Sequence, residues 1–279
     1  MHADEFFCPD DPDGIVRFNL LLTEFYQKNR RPMPWRDEIT PYQVLVSEIM
    51  LQQTQVPRVM QKFPVFIETF PDICALSRAT LEDVLRAWQG LGYNRRAKYL
   101  LLIAQEVVDR WDGIVPDDPV VLTTLPGIGP ATAGSIVAFA YNLPVVFIET
   151  NIRRVFIHHF FHDASGISDK EILPVVSLAL NGESPREWYY SLMDYGTYLA
   201  GKIENPNRRS KHYAVQSPFE GSDREIRGKI LRLLLERGPM DSDLLIRGIE
   251  SDKSRTEGIA FQMIREGLIV QEGATIRFP

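Results

Sequence analysis

The sequence predicts an all-α protein that ends in a small α+β domain. Apolar residues recur at helical spacing from residue 15 to about 265, helix-start and helix-stop residues punctuate that stretch, and strand-like alternation is confined to 268–278.

The first clear helix opens at Thr40-Pro41-Tyr42-Gln43, with Thr at the N-cap, Pro at N1 and Gln at N3, and continues through Leu51. Thr80 starts another, which Gly90 ends. From Tyr93 to Trp111 the stripe Leu100, Ile103, Ala104, Val107, Val108 marks a third, stopped at Gly113. Asp118-Pro119 begins a short helix, the turn Pro126-Gly127-Ile128-Gly129 breaks it, and a further helix runs from Pro130 to Tyr141. Helices are also predicted over 152–161, 169–181 and 185–200. Residues 203–221 are polar, with Pro206, Asn207, Ser210, Ser217 and Pro218, and read as a loop or linker. Helical patterns at 223–237, 242–249 and 254–265 then precede a hairpin over 268–278 that turns at Glu272-Gly273. Three helices followed by a hairpin is the order of a winged helix, although a small structural appendage would leave the same trace.

The 279 residues, 44% hydrophobic and 24% charged, have room for one large or two modest domains and resemble no disordered or repetitive class. No apolar run approaches the roughly 18 residues of a membrane span, and the acidic start resembles no targeting peptide, so a soluble, cytoplasmic protein is expected. Cys8 and Cys74 are the only cysteines, too few thiolates for a structural zinc or iron–sulfur site. The net charge of −6 owes much to Asp4, Glu5, Asp10, Asp11 and Asp13, in a start that has no Lys or Arg and is free to be disordered. Basic clusters are candidates for an electrostatic footprint: Lys28, Arg30, Arg31 and Arg36; Arg95, Arg96 and Lys98; Arg153 and Arg154; Arg208, Arg209, Lys211 and His212. His158, His159 and His162 share helical spacing without acids to complete a metal motif, which favours an interface or solvated face.

Four features carry candidate chemistry. Leu125 to Pro130 is a glycine turn between helices, where Gly127 and Gly129 permit close approach and backbone N–H groups can face a phosphate; a plain inter-helix turn has the same pattern. Glu48 is a lone carboxylate among Val44, Leu45, Val46, Ile49, Met50 and Leu51, and desolvation there would keep a proton on it for general-acid use; a helix-surface glutamate is the plain alternative. Gln52, Gln53 and Thr54, with Tyr93 in the turn from Gly90, are planar or polar groups able to fill the space left by an extracted base, or merely caps and core residues. Glu149, ahead of Asn151, is either a helix-capping acid or an anion placed to stabilise a cationic sugar.

Taken together, Pro34 to Arg36, Ser47 to Val56, Gly90 to Tyr93, Leu125 to Gly134 and Thr150 to Val155, in that order and spacing, resemble the helix-hairpin-helix DNA glycosylases, above all the MutY-type adenine DNA glycosylases, over residues 15–200. The resemblance implies a six-helix barrel with the helix-hairpin-helix at 31–146, a second helical domain from 1–30 and 147–215, and a flipped base held between them; the winged-helix-like domain at 222–279 lies beyond it. Glu48 matches the glutamate that protonates the departing purine and helps activate water, Glu149 the position of an aspartate that stabilises the oxocarbenium-like sugar, and Asn151 its neighbouring asparagine. Gln53 and Tyr93 match intercalating residues. Trp35 and Arg36 lie where the family lines its base pocket, and Tyr190 where adenine enzymes often carry Gln or Glu. The hairpin, with Leu125, Gly127, Ile128, Gly129, Ala131 and Thr132, would bind the DNA backbone and could seat a monovalent cation.

Departures accompany the match. Glu149 is one methylene longer than the family's aspartate. Ala131 stands where the endonuclease III branch has a nucleophilic lysine, which implies a monofunctional enzyme. The four-cysteine iron–sulfur loop is replaced by a basic segment with Arg208, Arg209 and Lys211, a candidate for backbone contact or a solvated linker. The expectation is therefore a monomeric, nucleoid-associated DNA glycosylase without an iron–sulfur cofactor, acting on duplex DNA with a mismatched or damaged base, most of all adenine opposite guanine or 8-oxoguanine. A thymine, uracil or hypoxanthine mismatch glycosylase and a non-catalytic DNA-binding protein are the alternatives.

Overall fold

The computed structural model describes residues 5–279. In chain order the helices are α1 (Pro12–Asn29), α2 (Pro34–Asp37), α3 (Pro41–Leu51), α4 (Val56–Thr69), α5 (Ile73–Ser77), α6 (Leu81–Trp88), α7 (Arg95–Trp111), α8 (Pro119–Leu122), α9 (Pro130–Tyr141), α10 (Thr150–Phe160), α11 (Asp169–Ala179) and α12 (Pro185–Ala200). A short 3-10 turn (Pro206–Arg209) and α13 (Asp223–Arg237), β1 (Met240–Asp241), α14 (Ser242–Arg247), α15 (Lys253–Arg265), β2 (Val270–Glu272) and β3 (Thr275–Arg277) follow. The predicted helix starts are realised chemically: Thr40 accepts the Gln43 N–H at 3.2 Å, and Thr80 and Asp83 form a reciprocal capping box. The all-α class with a small C-terminal sheet is as the sequence predicts.

The chain forms two compact units. One comprises the described residues up to Val44 with Asp117–Thr124 and Ile128–Val215; the other comprises Leu45–Pro116, Leu125–Gly127 and Gln216–Pro279. This differs from the three-part organisation expected from sequence. The segments 31–44 and 128–146 go with the flanking helices, and the C-terminal domain goes with α4–α7. The second assignment has a visible cause, because Lys98 Nζ donates to the Glu266 carbonyl at 2.5 Å and Arg86 Nη1 to that of Leu235 at 3.2 Å.

The first unit is built on an aromatic core in which Phe18, Phe156, Tyr189 and Tyr195 are fully buried. Asp194 of α12 accepts from Arg31 Nε at 2.7 Å and from Arg36 Nη1 and Nη2 at 2.9 and 3.1 Å, and both Asp194 and Arg36 are withdrawn from solvent. Deleting one partner of such a pair strands a buried charge, at a cost of about 3–5 kcal/mol. The N-terminal segment is tied into this core from Glu5 onward, contrary to the disorder its composition allows, and Asp4 lies outside the described residues. Phe7 is buried and its N–H donates to the His159 carbonyl at 2.8 Å.

In the second unit the C-terminal strands form an antiparallel sheet in the order β1-β3-β2, with Gln271 opposite Ile276. Three helices and a hairpin wing are present as expected; β1, two residues long, escapes a periodicity reading. Among the described residues no helix is long and apolar enough to cross a membrane.

His159 supplies a test. Its Nδ1 lies 2.6 Å from the Glu5 carbonyl, an obligate acceptor, so Nδ1 carries the proton and Nε2, 2.9 Å from the Tyr195 hydroxyl, accepts. Burial pulls its pKa down to about 4, so the folded state holds the neutral ring. Stability is complete above the unfolded value near 6.5 and is lost as pH falls from there towards 4, by roughly 3 kcal/mol. Chemical denaturation from pH 7 to 4 is expected to lose that slope in His159→Asn; an unchanged slope contradicts the assignment.

Candidate active site

Glu48 lies on α3, partly exposed between buried Ser47 and Ile49. What fixes this end of α3 is Arg96, which the sequence places in a basic cluster with Arg95 and Lys98 as a candidate electrostatic footprint. It is buried instead. Its Nη1 donates to the carbonyls of Ile49, Met50 and Gln52 at 2.8, 2.8 and 2.6 Å, and its Nη2 to Thr54 Oγ1 at 2.9 Å and to the carbonyls of Leu91 and Gly92 at 3.3 and 3.1 Å. One guanidinium thus satisfies the C-terminal carbonyls of α3 that have no helical partner and joins the Gln52–Thr54 turn to the Leu91–Tyr93 turn. Burial lowers its pKa to about 10, leaving it charged at neutral pH. The residues expected to act as wedges, Gln53 and Tyr93, both sit at left-handed φ, 55° and 48°.

At the glycine turn, Gly127 has φ 78°, and a Cβ there would lie 2.6 Å from the Tyr99 ring, so the position requires glycine on both counts. Its carbonyl accepts from Gln52 Nε2 at 3.1 Å. Leu125 and Ile128 are buried, whereas Gly127 and Gly129 are exposed and Ala131 and Thr132 are partly exposed in the first turn of α9. Gly129 caps α9 without a side-chain acceptor.

Glu149 answers the question of its extra methylene by folding back. Its Oε1 accepts the N–H groups of Asn151 and Ile152 at 2.5 and 2.8 Å, capping α10, while Oε2 lies 3.3 Å from Asn151 Nδ2. Burial raises its carboxyl pKa above the ordinary range, against the two backbone N–H groups and the charges of Arg154 and Arg153, which lower it. Three further contacts hold this helix entrance. Arg154 Nη1 donates to Asn151 Oδ1 at 2.7 Å and to the Gly196 carbonyl at 2.8 Å, and Asn207 Nδ2 donates to the Thr150 carbonyl at 3.0 Å. Sequence reasoning did not single out Arg154, Gly196 or Asn207 for this duty.

Trp35, Arg36 and Tyr190 are all buried in the first unit. The Arg36 guanidinium carbon lies 4.2 Å from the Tyr190 ring centre, and Tyr190 stacks on Phe139 with centres 4.7 Å apart. Arg36 is thus committed to Asp194 and to this stack. The basic segment after α12 is not a solvated linker over its first half. Arg209 donates to the carbonyls of Phe161 (2.8 Å), Ile157 (3.2 Å) and His162, capping the end of α10, and Ile167 and Ser210 form a parallel bridge. Arg208 pairs with Glu204 at 2.9 Å, and Lys211 is exposed. Cys8 and Cys74 are unpaired, and no metal-holding group of His, Cys, Asp and Glu occurs among the described residues.

The chain matches the model of the HhH-GPD superfamily base excision DNA repair proteins over residues 46–174. It is 35% identical over 249 residues to an adenine DNA glycosylase of Mycobacterium tuberculosis, covering 80% of this chain and 79% of that one. To an adenine DNA glycosylase of Mycolicibacterium smegmatis it is 34% identical, with 76% and 78% covered. Among solved structures it is similar to a thermostable thymine-DNA glycosylase (TM-score 0.62, 21% identity, 69% of this chain and 90% of that one) and to an endonuclease III trapped on DNA (TM-score 0.52, 19% identity, 74% and 90%); at such identities these show the fold.

Close packing at the α10 entrance generates a prediction. A Cβ on Gly196 would lie 2.6 Å from Asn151 Cβ and 2.9 Å from its carbonyl oxygen. Gly196→Ala is expected to displace Asn151 and to destabilise the protein by about 1–3 kcal/mol, the usual range for overpacking, read by urea denaturation; a wild-type midpoint contradicts it.

Proposed function

The chain belongs to the helix-hairpin-helix DNA glycosylase family, and from that premise we propose that it excises adenine mispaired with guanine or 8-oxoguanine from duplex DNA, hydrolysing the N-glycosidic bond. The observation that carries the reading is that the chain supplies both carboxylates the reaction needs, Glu48 on a helix end locked by Arg96 and an acid at 149 that keeps Asn151 as its partner. Identity to adenine glycosylases across four-fifths of the chain supports adenine over the pyrimidine alternatives.

Glu48, as the acid, protonates the departing purine and then helps activate water. Glu149, as the anion, stabilises the positive charge that develops on the sugar. Asn151 fixes Glu149 Oε2, and Arg154 fixes Asn151 in turn. Gln53 and Tyr93 enter the base stack where the nucleotide leaves it. The α9 start, with Gly129, Ala131 and Thr132, offers backbone N–H groups to a phosphate, and exposed Lys211 adds charge. Trp35, Arg36 and Tyr190 act as a buried wall supporting the base pocket. The residues present do not fit a four-thiolate cluster, since the chain has two cysteines. The Gly127 carbonyl is taken by Gln52, and no step is assigned to a cation. The enzyme works as a monomer on nucleoid DNA.

Glu48→Gln is expected to abolish single-turnover excision while duplex affinity stays within about twofold, a change under 0.5 kcal/mol; retained excision contradicts the acid role. Glu149→Gln also loses excision, yet gains stability. Because folding raises the Glu149 pKa, the wild type is favoured below the unfolded value and loses stability as pH rises towards the folded one. The variant therefore melts higher than wild type at pH 7, and the gap closes near pH 4. A lower melting temperature at pH 7 contradicts the buried-anion account.

With Ala131 in place of an amine, the product is an intact abasic site. Borohydride treatment during turnover is expected to trap no covalent complex with DNA; a trapped complex would establish lyase chemistry from another amine.

A further inference from the structure

Tyr93 occupies a left-handed conformation that an aromatic residue keeps only where its surroundings hold it. Two arginines do so. Arg96, buried beneath the two turns, has its guanidinium carbon 5.4 Å from the Tyr93 ring centre. Arg224, in the first turn of α13, lies 5.2 Å from the same centre and donates Nη1 to the Tyr93 hydroxyl at 2.7 Å. Gln216 donates its side-chain amide to that hydroxyl as well. The other terminal nitrogen of Arg224, Nη2, donates to the carbonyls of Ser217 and Pro218 at 2.6 and 3.3 Å. One guanidinium thereby ties the Gln216–Pro218 segment, α13 and Tyr93 together, all within the second unit. Gln216 and Arg224 lie outside the residues matched by the family model.

We propose that Arg224, assisted by Gln216, is a positioning residue for Tyr93, through which the C-terminal domain holds the aromatic wedge ready to enter DNA. The inference rests on the wedge assignment under the proposed function and deepens it. A free aromatic side chain on a surface turn loses rotamer freedom when it inserts between bases, and that loss offsets part of the unstacking contact. A ring already fixed at its hydroxyl end and flanked by two cations has lost that freedom beforehand. The C-terminal domain is then part of the base-extruding apparatus, acting through Tyr93 rather than as a separate DNA-reading module.

The test uses the full chain and a duplex with adenine opposite 8-oxoguanine and 2-aminopurine next to the mismatch, whose fluorescence rises on unstacking. Arg224→Leu is expected to lower both the fluorescence rise and the single-turnover excision rate by about tenfold, equivalent to 1.4 kcal/mol, with affinity for matched duplex unchanged. Arg224→Lys, still able to reach the hydroxyl, recovers most of both signals. Tyr93→Phe reproduces part of the loss, and adding it to Arg224→Leu produces no further loss. Gln216→Ala, on an exposed segment, repeats the test in milder form without touching α13, so a misfolded Arg224 variant does not decide the matter. Wild-type fluorescence in Arg224→Leu, slowed excision with the fluorescence rise intact, or independent additive effects of the two substitutions would each overturn the coupling while leaving the glycosylase reading in place. An unaltered chain that neither unstacks nor excises would overturn the wedge assignment and this coupling with it.

Discussion

Six oxygens converge on one buried guanidinium, and the part of the molecule that carries Glu48 depends on that convergence. The end of α3 needs donors for its last carbonyls, and the two turns that follow α3 and α6 need a reason to lie together. Arg96 supplies both from a single planar group. A lysine ammonium has three donors at one point and cannot reach carbonyls spread along the edge of a fork. Tyr93 and Gln53 hold uncommon backbone conformations next to this group, in keeping with local strain that persists where its surroundings over-determine it.

The first unit solves a parallel problem with different means. The start of α10 is held from its own side chain at Glu149, from α12 through Arg154 and the Gly196 backbone, and from the segment after α12 through Asn207. That segment also caps the far end of α10 with Arg209. A stretch that reads as a substitute for a metal-bound loop therefore fixes both ends of α10 with neutral and charge-assisted hydrogen bonds. Glu149 is held in a state of tension: its burial opposes the charge that its proposed role requires, and two backbone N–H groups with two arginines act against that burial.

Much of this was legible in the sequence. Caps at Thr40 and Thr80, Pro at the first helical position and Gly after the last gave most helices to within a few residues, because those signals arise from local backbone chemistry. Helix α4 was not legible: Pro57 lies in its first turn, where no N–H is needed, and Pro64 lies inside it, so both resemble breakers. The candidate acids were visible as carboxylates in apolar or helix-start settings. The basic clusters misled as footprints, since Arg31, Arg36, Arg96, Arg153, Arg154 and Arg209 are bound to acids or carbonyls of the protein itself. One signal was available. Arg96 falls on the buried stripe of α7 with Leu100, Ile103 and Val107, where an arginine must be satisfied internally. Arg154 and Asn207 had no such signature, because their partners are fixed only by tertiary packing.

Chemistry at adenine is read by a single-turnover panel of duplexes carrying adenine, thymine, uracil or hypoxanthine opposite guanine, and adenine opposite 8-oxoguanine, each quenched with and without alkali. Strand scission at adenine that depends on alkali is the expected result. Scission confined to a pyrimidine or to hypoxanthine, or scission at adenine without alkali, would contradict it.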